Sequence, residues 1–258
     1  MDMAYATAGA LTGFVVGITG VGGGALMTPM LLLFFGISPT TAIATDLWFA
    51  SITKLVGGRI HNEAGLVEWQ VVKRLWMGSL PVALLAVGLI SMGHQLVKME
   101  WLNHAIGTVI LITAAGLLLA PRLLALAKGR RLGNPEKFKR TQPGMTVLAG
   151  AVLGLCVALT SVGAGALGSV MLLYLYPLRM TPHRLVATDL VHAIPLAMTA
   201  GIGYLMTGMV DWWMLANLLL GSIPAVILGS MLATRLPGRS IQILLALILA
   251  AAGAKVIV

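Results

Sequence analysis

The chain has 258 residues, 59% of them hydrophobic and 10% charged, with 17 basic and 8 acidic side chains and a formal charge of +9. A soluble domain carries about 25% charged residues, and the mean hydropathy here is +0.97, so a water-soluble fold is excluded. The pI near 10.2 does not point to nucleic acid, because the basic residues gather at one membrane face. The chain reads as an all-α polytopic membrane protein.

A spanning helix needs roughly 20 mostly apolar residues. Ten apolar segments follow in order: 4–19, 25–35, 40–60, 75–92, 101–120, 145–159, 166–176, 182–205, 212–232 and 241–258. Met1–Asp2 lacks a basic n-region, so the first does not read as a cleaved signal. The first two are divided only by Gly20-Val21-Gly22-Gly23-Gly24, the sixth and seventh only by Ser161-Val162-Gly163-Ala164-Gly165. Each pair amounts to about 32 residues, or about 48 Å as one helix. That is too long for one ordinary crossing, so each pair turns back, as two crossings or as a re-entrant hairpin.

Basic loops orient the chain. Segment 122–140 holds seven Lys/Arg against the single acid Glu136, which places this linker in the cytoplasm. Alternation from it puts fourteen basic residues inside against Lys98 and Lys255 outside, with both termini outside. This parity holds whether the glycine-broken pairs span or re-enter.

The two halves repeat one another. Thr19–Leu26 matches Thr160–Leu167 at an offset of 141, and after a two-residue insertion the offset becomes 143. At that spacing Ser38-Pro39 matches Thr181-Pro182, Ala44–Leu47 matches Ala187–Leu190, Gly65–Trp69 matches Gly208–Trp212, and Gly78–Pro81 matches Gly221–Pro224. The organisation expected is a first repeat over 1–121, a basic linker over 122–144 and a second repeat over 145–258. Five segments per repeat is odd, so the copies sit in opposite orientations. Inverted repeats with helices broken at matching places are the architecture of many secondary transporters, which bind at the midplane between repeats.

The Gly20–Gly24 run, Pro29, the Gly36–Pro39 turn and Ala44-Thr45, with their second-half counterparts, resemble the sulfite exporter TauE/SafE family over nearly the whole chain. The resemblance implies transport of a small anion, chiefly sulfite, sulfonates and related organosulfur anions, often as export across a bacterial inner membrane. In the family's common pattern a Ser often follows the Thr, where Asp46 and Asp189 stand in this chain.

The residues themselves suggest how an anion would be held. A glycine break opens a new helix N-terminus, where free N–H groups and the dipole attract anions. Thr19, Gly20, Gly22, Gly23 and Gly24 in one half, and Thr160, Ser161, Gly163 and Gly165 in the other, are therefore candidate substrate ligands. Thr45 and Thr188 join them in the matched Ala-Thr-Asp segments. By contrast, the small-residue pairs Gly13/Gly17 and Gly150/Gly154 read as helix packing. The Gly163–Gly168 string imitates a dinucleotide motif, but that motif has meaning only in a βαβ unit.

Ser38-Pro39 and Thr181-Pro182 read as N-caps followed by Pro at the first helical position. Asp46 and Asp189 then lie about 12 Å along their helices. An acid at that depth is costly and is by default a functional candidate; each could carry a proton during turnover, or cap the neighbouring broken helix. Lys54 and His192 break the symmetry, their counterparts being Ala197 and Phe49. They join the aspartates as candidates for proton coupling or gating, Lys54 by drawing anions into an inner vestibule and His192 by relaying protons or fixing the Asp.

The expected function is therefore a secondary transporter, with one repeat moving against the other. A passive anion channel or uniporter and an intramembrane hydrolase using Ser161 and His192 are the alternatives. The implied partners are a small anion and the lipid bilayer, with a homo-oligomer left open. No nucleotide-binding string, cofactor motif or metal-ligand spacing stands in the sequence, and the lone cysteine, Cys156, cannot form an intramolecular disulfide.

Overall fold

A computed structural model describes residues 2–19, 24–63, 65–92, 99–133, 135–163, 165–233 and 238–257. The described residues form α-helices joined by short turns, with no strand among them. In chain order the helices are α1 (Met3–Thr19), α2 (Gly24–Phe35), α3 (Pro39–Glu63), α4 (Trp69–Met92), α5 (Met99–Gly133), α6 (Pro135–Thr160), α7 (Ala166–Leu175), α8 (Pro182–Met206), α9 (Trp212–Ala233) and α10 (Gly238–Ile257). Five of them contain apolar spans long enough to cross a membrane, including Trp69–Ser91, His104–Leu123 and His183–Met206. Large apolar side chains such as Leu85, Leu89, Met206 and Met231 point outward, as befits a chain whose solvent is lipid.

The starts of α3 and α8 follow from their caps. Ser38 Oγ accepts the Thr41 N–H at 3.4 Å, and Thr181 Oγ1 accepts that of Arg184 at 3.4 Å. The helices after the glycine breaks are short. α2 has 12 residues and α7 has 10, about 18 and 15 Å of helix, so neither alone reaches across a hydrocarbon core of about 30 Å.

The basic segment 122–144 is helical rather than a loop over its described residues, since α5 runs on to Gly133 and α6 begins at Pro135. Leu, Ala, Lys and Arg are strong helix formers, and lengthening an existing helix avoids the cost of a new nucleus.

Helix pairing crosses between the halves. α1 packs along α9 and α4 along α6; α3 pairs with α8 and α5 with α10. The glycines explain the first two pairs. A methyl group built on Gly13 would lie 2.8 Å from Ser222 Cα, and one on Gly154 would lie 2.8 Å from Ser79 Cα. Gly9 likewise abuts Leu218, and Gly150 abuts Leu75. These two α1–α9 contacts thus have counterparts between α6 and α4 at the offsets of the sequence repeat.

α3 and α8 run antiparallel. Thr45, early in α3, accepts the Asp211 N–H beyond the end of α8 at 3.2 Å. Thr188, early in α8, accepts the Glu68 N–H beyond the end of α3 at 3.1 Å. An antiparallel pair of equivalent helices is what a two-fold axis lying across them produces. Ile43, Leu47, Ile106, Ile110, Leu196 and Tyr204 fill the core around this pair.

Candidate functional site

The polar residues of the interior converge where α3 and α8 meet α2 and the second glycine break. Asp46 is fully buried on α3. Its Oδ2 accepts the Thr28 hydroxyl of α2 at 2.5 Å, and its Oδ1 has no partner among the described residues. The Ser161 hydroxyl, from the other half, lies beside Asp46 and has no hydrogen-bond partner among the described residues. Asp189 on α8 is 2% exposed; its Oδ1 sits against Gly168 of α7 and has no hydrogen-bond partner among the described residues. The Gly165 N–H, just before α7, faces the Asp189 carboxyl group. Each aspartate therefore grips the short helix that follows the break in its own half.

Lys54 is 4% exposed and lies within electrostatic reach of both Asp46 and Asp189. A deeply buried ammonium group is stable only where opposite charge compensates the lost hydration, and the two carboxyl groups provide it. Lys54 therefore belongs electrostatically with the two aspartates.

The second glycine break is held in an unusual backbone form. Ser161 has φ 57°, while Gly163 and Gly165 have φ 127° and 121°; only glycine adopts the last two without strain. A serine in the left-handed region costs about 1 kcal/mol, so the fold holds Ser161 there through its surroundings. One of them is the bond from its own N–H to Val157 O at 2.8 Å. Gly165, the N-cap residue of α7, supplies no side-chain cap, and the Asp189 carboxyl group faces that end of the helix.

Other candidate residues are placed differently. The Thr160 hydroxyl is spent on the local backbone, donating to Cys156 O at 2.6 Å and accepting Val162 N–H at 3.1 Å. Thr45 and Thr188 hold the loops before α9 and α4, as described above. Gly20, Gly22 and Gly23 lie outside the described residues, and so do the surroundings of Thr19 and Gly24 at the helix ends. His192 is fully buried with Nε2 3.0 Å from Ser79 Oγ. Ser161 and His192 are not hydrogen-bonded to one another, so the described geometry does not assemble a nucleophile–base pair from them.

The comparison with protein families settles the lineage. A sequence profile described as sulfite exporter TauE/SafE matches residues 5–256. The chain belongs to this family. Membership in TauE/SafE fits the apolar helices and makes the chain a multi-pass membrane protein. Among similar curated proteins, the probable membrane transporter protein YjnA of Bacillus subtilis is 38% identical over 264 residues, covering 100% of both chains. YdhB of the same organism, also called a probable membrane transporter protein, is 26% identical over 88% of each chain. A probable membrane transporter protein of Xylella fastidiosa is 25% identical over 88% of this chain and 83% of its own. No solved structure matches.

Within this TauE/SafE chain, the sequence did not mark Thr28, Ser79 or the Glu68 cluster. Glu68 Oε1 accepts Arg184 at 2.6 Å and its Oε2 lies 3.5 Å from Arg179, joining the α3–α4 loop to the residues around the start of α8. The equivalent of Arg184 in the other half is Thr41, so among the described residues the Glu68–Arg184 pair has no counterpart at the other end of the repeated framework. The broken symmetry at residue 184 was the available signal.

Proposed function

We propose that the chain is a secondary transporter that exports a small sulfur oxyanion or organosulfonate by alternating access, coupled to protons. The observation that carries the reading is the buried group of Lys54, Asp46 and Asp189, with carboxylate oxygens left open at the second glycine break. With both carboxyl groups ionised the group bears one net negative charge; with both protonated it bears one net positive charge. An anion is refused by the first state and accepted by the second. A unit charge about 6 Å away contributes about 3 kcal/mol at an effective dielectric near 20, or roughly two orders of magnitude in affinity. Proton occupancy and anion occupancy then rise and fall together, which is the requirement for coupling.

Sulfur oxyanions fit this chemistry for a second reason. α7 begins without a side-chain cap from its own N-cap residue, Gly165, and helix N-termini bind oxygen atoms through direction as well as charge. The family description supports sulfite itself and the outward direction.

Flux of radiolabelled sulfite, thiosulfate, sulfate and a small sulfonate into proteoliposomes tests the proposal. A pH gradient is imposed on wild type, Asp46→Asn and Asp189→Asn. Gradient-driven flux of one anion, with the gradient dependence lost in either variant, is expected. Flux indifferent to the gradient and to both substitutions makes the protein a uniporter or channel, and absence of flux for all four anions overturns the reading.

A further inference from the structure

His192 is anchored through one ring nitrogen and left open at the other. Its carbonyl oxygen accepts the Trp76 Nε1–H at 3.1 Å, and its Nε2 lies 3.0 Å from Ser79 Oγ. Nδ1 is buried without a partner among the described residues. Ser79 is fully buried and has no other side-chain partner among them. The protons can therefore be counted. If Ser79 donates to Nε2, the imidazole carries its hydrogen on Nδ1 and one group, that N–H, is orphaned. If Nε2–H donates to Ser79, both the hydroxyl hydrogen and the Nδ1 lone pair are orphaned. A doubly protonated ring orphans two hydrogens and adds a second buried cation within reach of Lys54. Orphaned buried polar groups are costly, so the first arrangement is selected.

We infer that Ser79 fixes His192 as the Nδ1–H tautomer, and that this free N–H is a hydrogen-bond donor to an oxygen of the transported anion. The inference rests on the transport reading above and names a further binding residue with its positioning partner. His192 follows Asp189 by three residues and so shares its helix face, and the ring lies within electrostatic reach of Lys54, which groups the imidazole with the buried lysine and aspartates. The two-fold relation shows that the arrangement is specific. Ser222, the equivalent of Ser79, is buried with a hydroxyl that has no partner among the described residues, and the residue equivalent to His192 is Phe49. The framework thus keeps both serines and equips only one with an imidazole. A neutral N–H rewards an oxygen lone pair in one direction and adds no charge. It therefore favours oxyanions over anions of equal charge that accept hydrogen bonds poorly, such as iodide.

Two measurements on the full-length protein test this. Long-range 1H–15N correlation of 15N-histidine-labelled protein, with His192→Asn used to assign the signal, reads the tautomer directly. Wild type is expected to show the Nδ1–H pattern, Ser79→Ala to lose it, and sulfite to shift it. In sulfite flux, His192→Gln, whose amide replaces Nε2, is expected to raise KM about tenfold with little change in maximal rate. His192→Asn, whose amide replaces Nδ1, is expected to raise it less, and inhibition by iodide is expected to be the same in all three proteins. An Nε2–H tautomer in wild type overturns the inference whatever the flux shows. So does an Nδ1–H signal indifferent to sulfite, or a Gln variant equal to wild type. Failure of wild type to move any of the four anions overturns the transport reading instead, and leaves the tautomer assignment standing.

Discussion

Gly13 and Gly154 offer an experiment with its own control, because they make equivalent contacts with different consequences. A methyl group at either position lies 2.8 Å from a serine Cα on the facing helix, against an optimum of 3.5–4.0 Å between carbons. Gly13→Ala and Gly154→Ala must each spread a helix pair by about 1 Å, at an overpacking cost of about 1–3 kcal/mol. For a chain of this size that lowers Tm by roughly 3–10 °C, which thermal unfolding in detergent resolves. The two then part. Gly154→Ala displaces Ser79, and about 1 Å added to the 3.0 Å separation from His192 ends that hydrogen bond. Gly13→Ala displaces Ser222, whose hydroxyl has no hydrogen-bond partner among the described residues. Both variants are expected to lose similar stability, while only Gly154→Ala raises the KM for the anion. An unchanged Tm in both refutes the close-packing argument; an equal rise of KM in both refutes the link from packing to His192.

The threonines that anchor the loops make a second test. Thr45→Val and Thr188→Val keep the shape and remove the acceptor for the Asp211 and Glu68 N–H groups, which costs about 1–3 kcal/mol each. Lower Tm with KM within threefold of wild type is expected in a paired unfolding and flux assay, and a tenfold rise in KM would return both residues to the substrate. Glu68→Gln removes the ionic cluster with Arg184 and Arg179. The arginines are about half exposed, so stability changes by about 1 kcal/mol or less, but the end that carries the cluster opens more readily. In a Cys156→Ser background, a cysteine introduced by Ser161→Cys is expected to react several-fold faster with an impermeant thiol reagent added from that end. Unchanged reactivity shows that the cluster does not govern access.

Much of the fold was legible because its determinants are local. Hydropathy located the ten helices of the described residues to within a few residues at most boundaries, Ser38 and Thr181 marked two helix starts, and the small-residue spacing at Gly150 and Gly154 announced a close helix contact. The aspartates stood out because an acid within an apolar run has no local explanation. Positions set by partners from the other half were not legible. Lys54 reads as a residue near a helix end until α8 is laid against α3. Ser79 reads as one small polar residue among many until His192 is opposite it. The helical form of the basic linker was missed for another reason: charge density argues for exposure to water but says nothing against a helix that continues into it.

The cross-pairing of the glycine faces bears on how such a chain can be made. Gly9 and Gly13 are seated on α9, and Gly150 and Gly154 on α4, so every seat is supplied by the opposite half. A half expressed by itself would turn a notched, unfilled groove toward lipid, whose tails cannot reproduce a backbone surface. Its natural cover is a second copy inserted upside down. Two such copies require a peptide without a fixed orientation, and their fusion requires the reverse, each half committed to one direction. By the positive-inside rule, the crowding of basic residues into the segment that joins them is expected to reconcile the two demands, one charged connector orienting both halves during insertion.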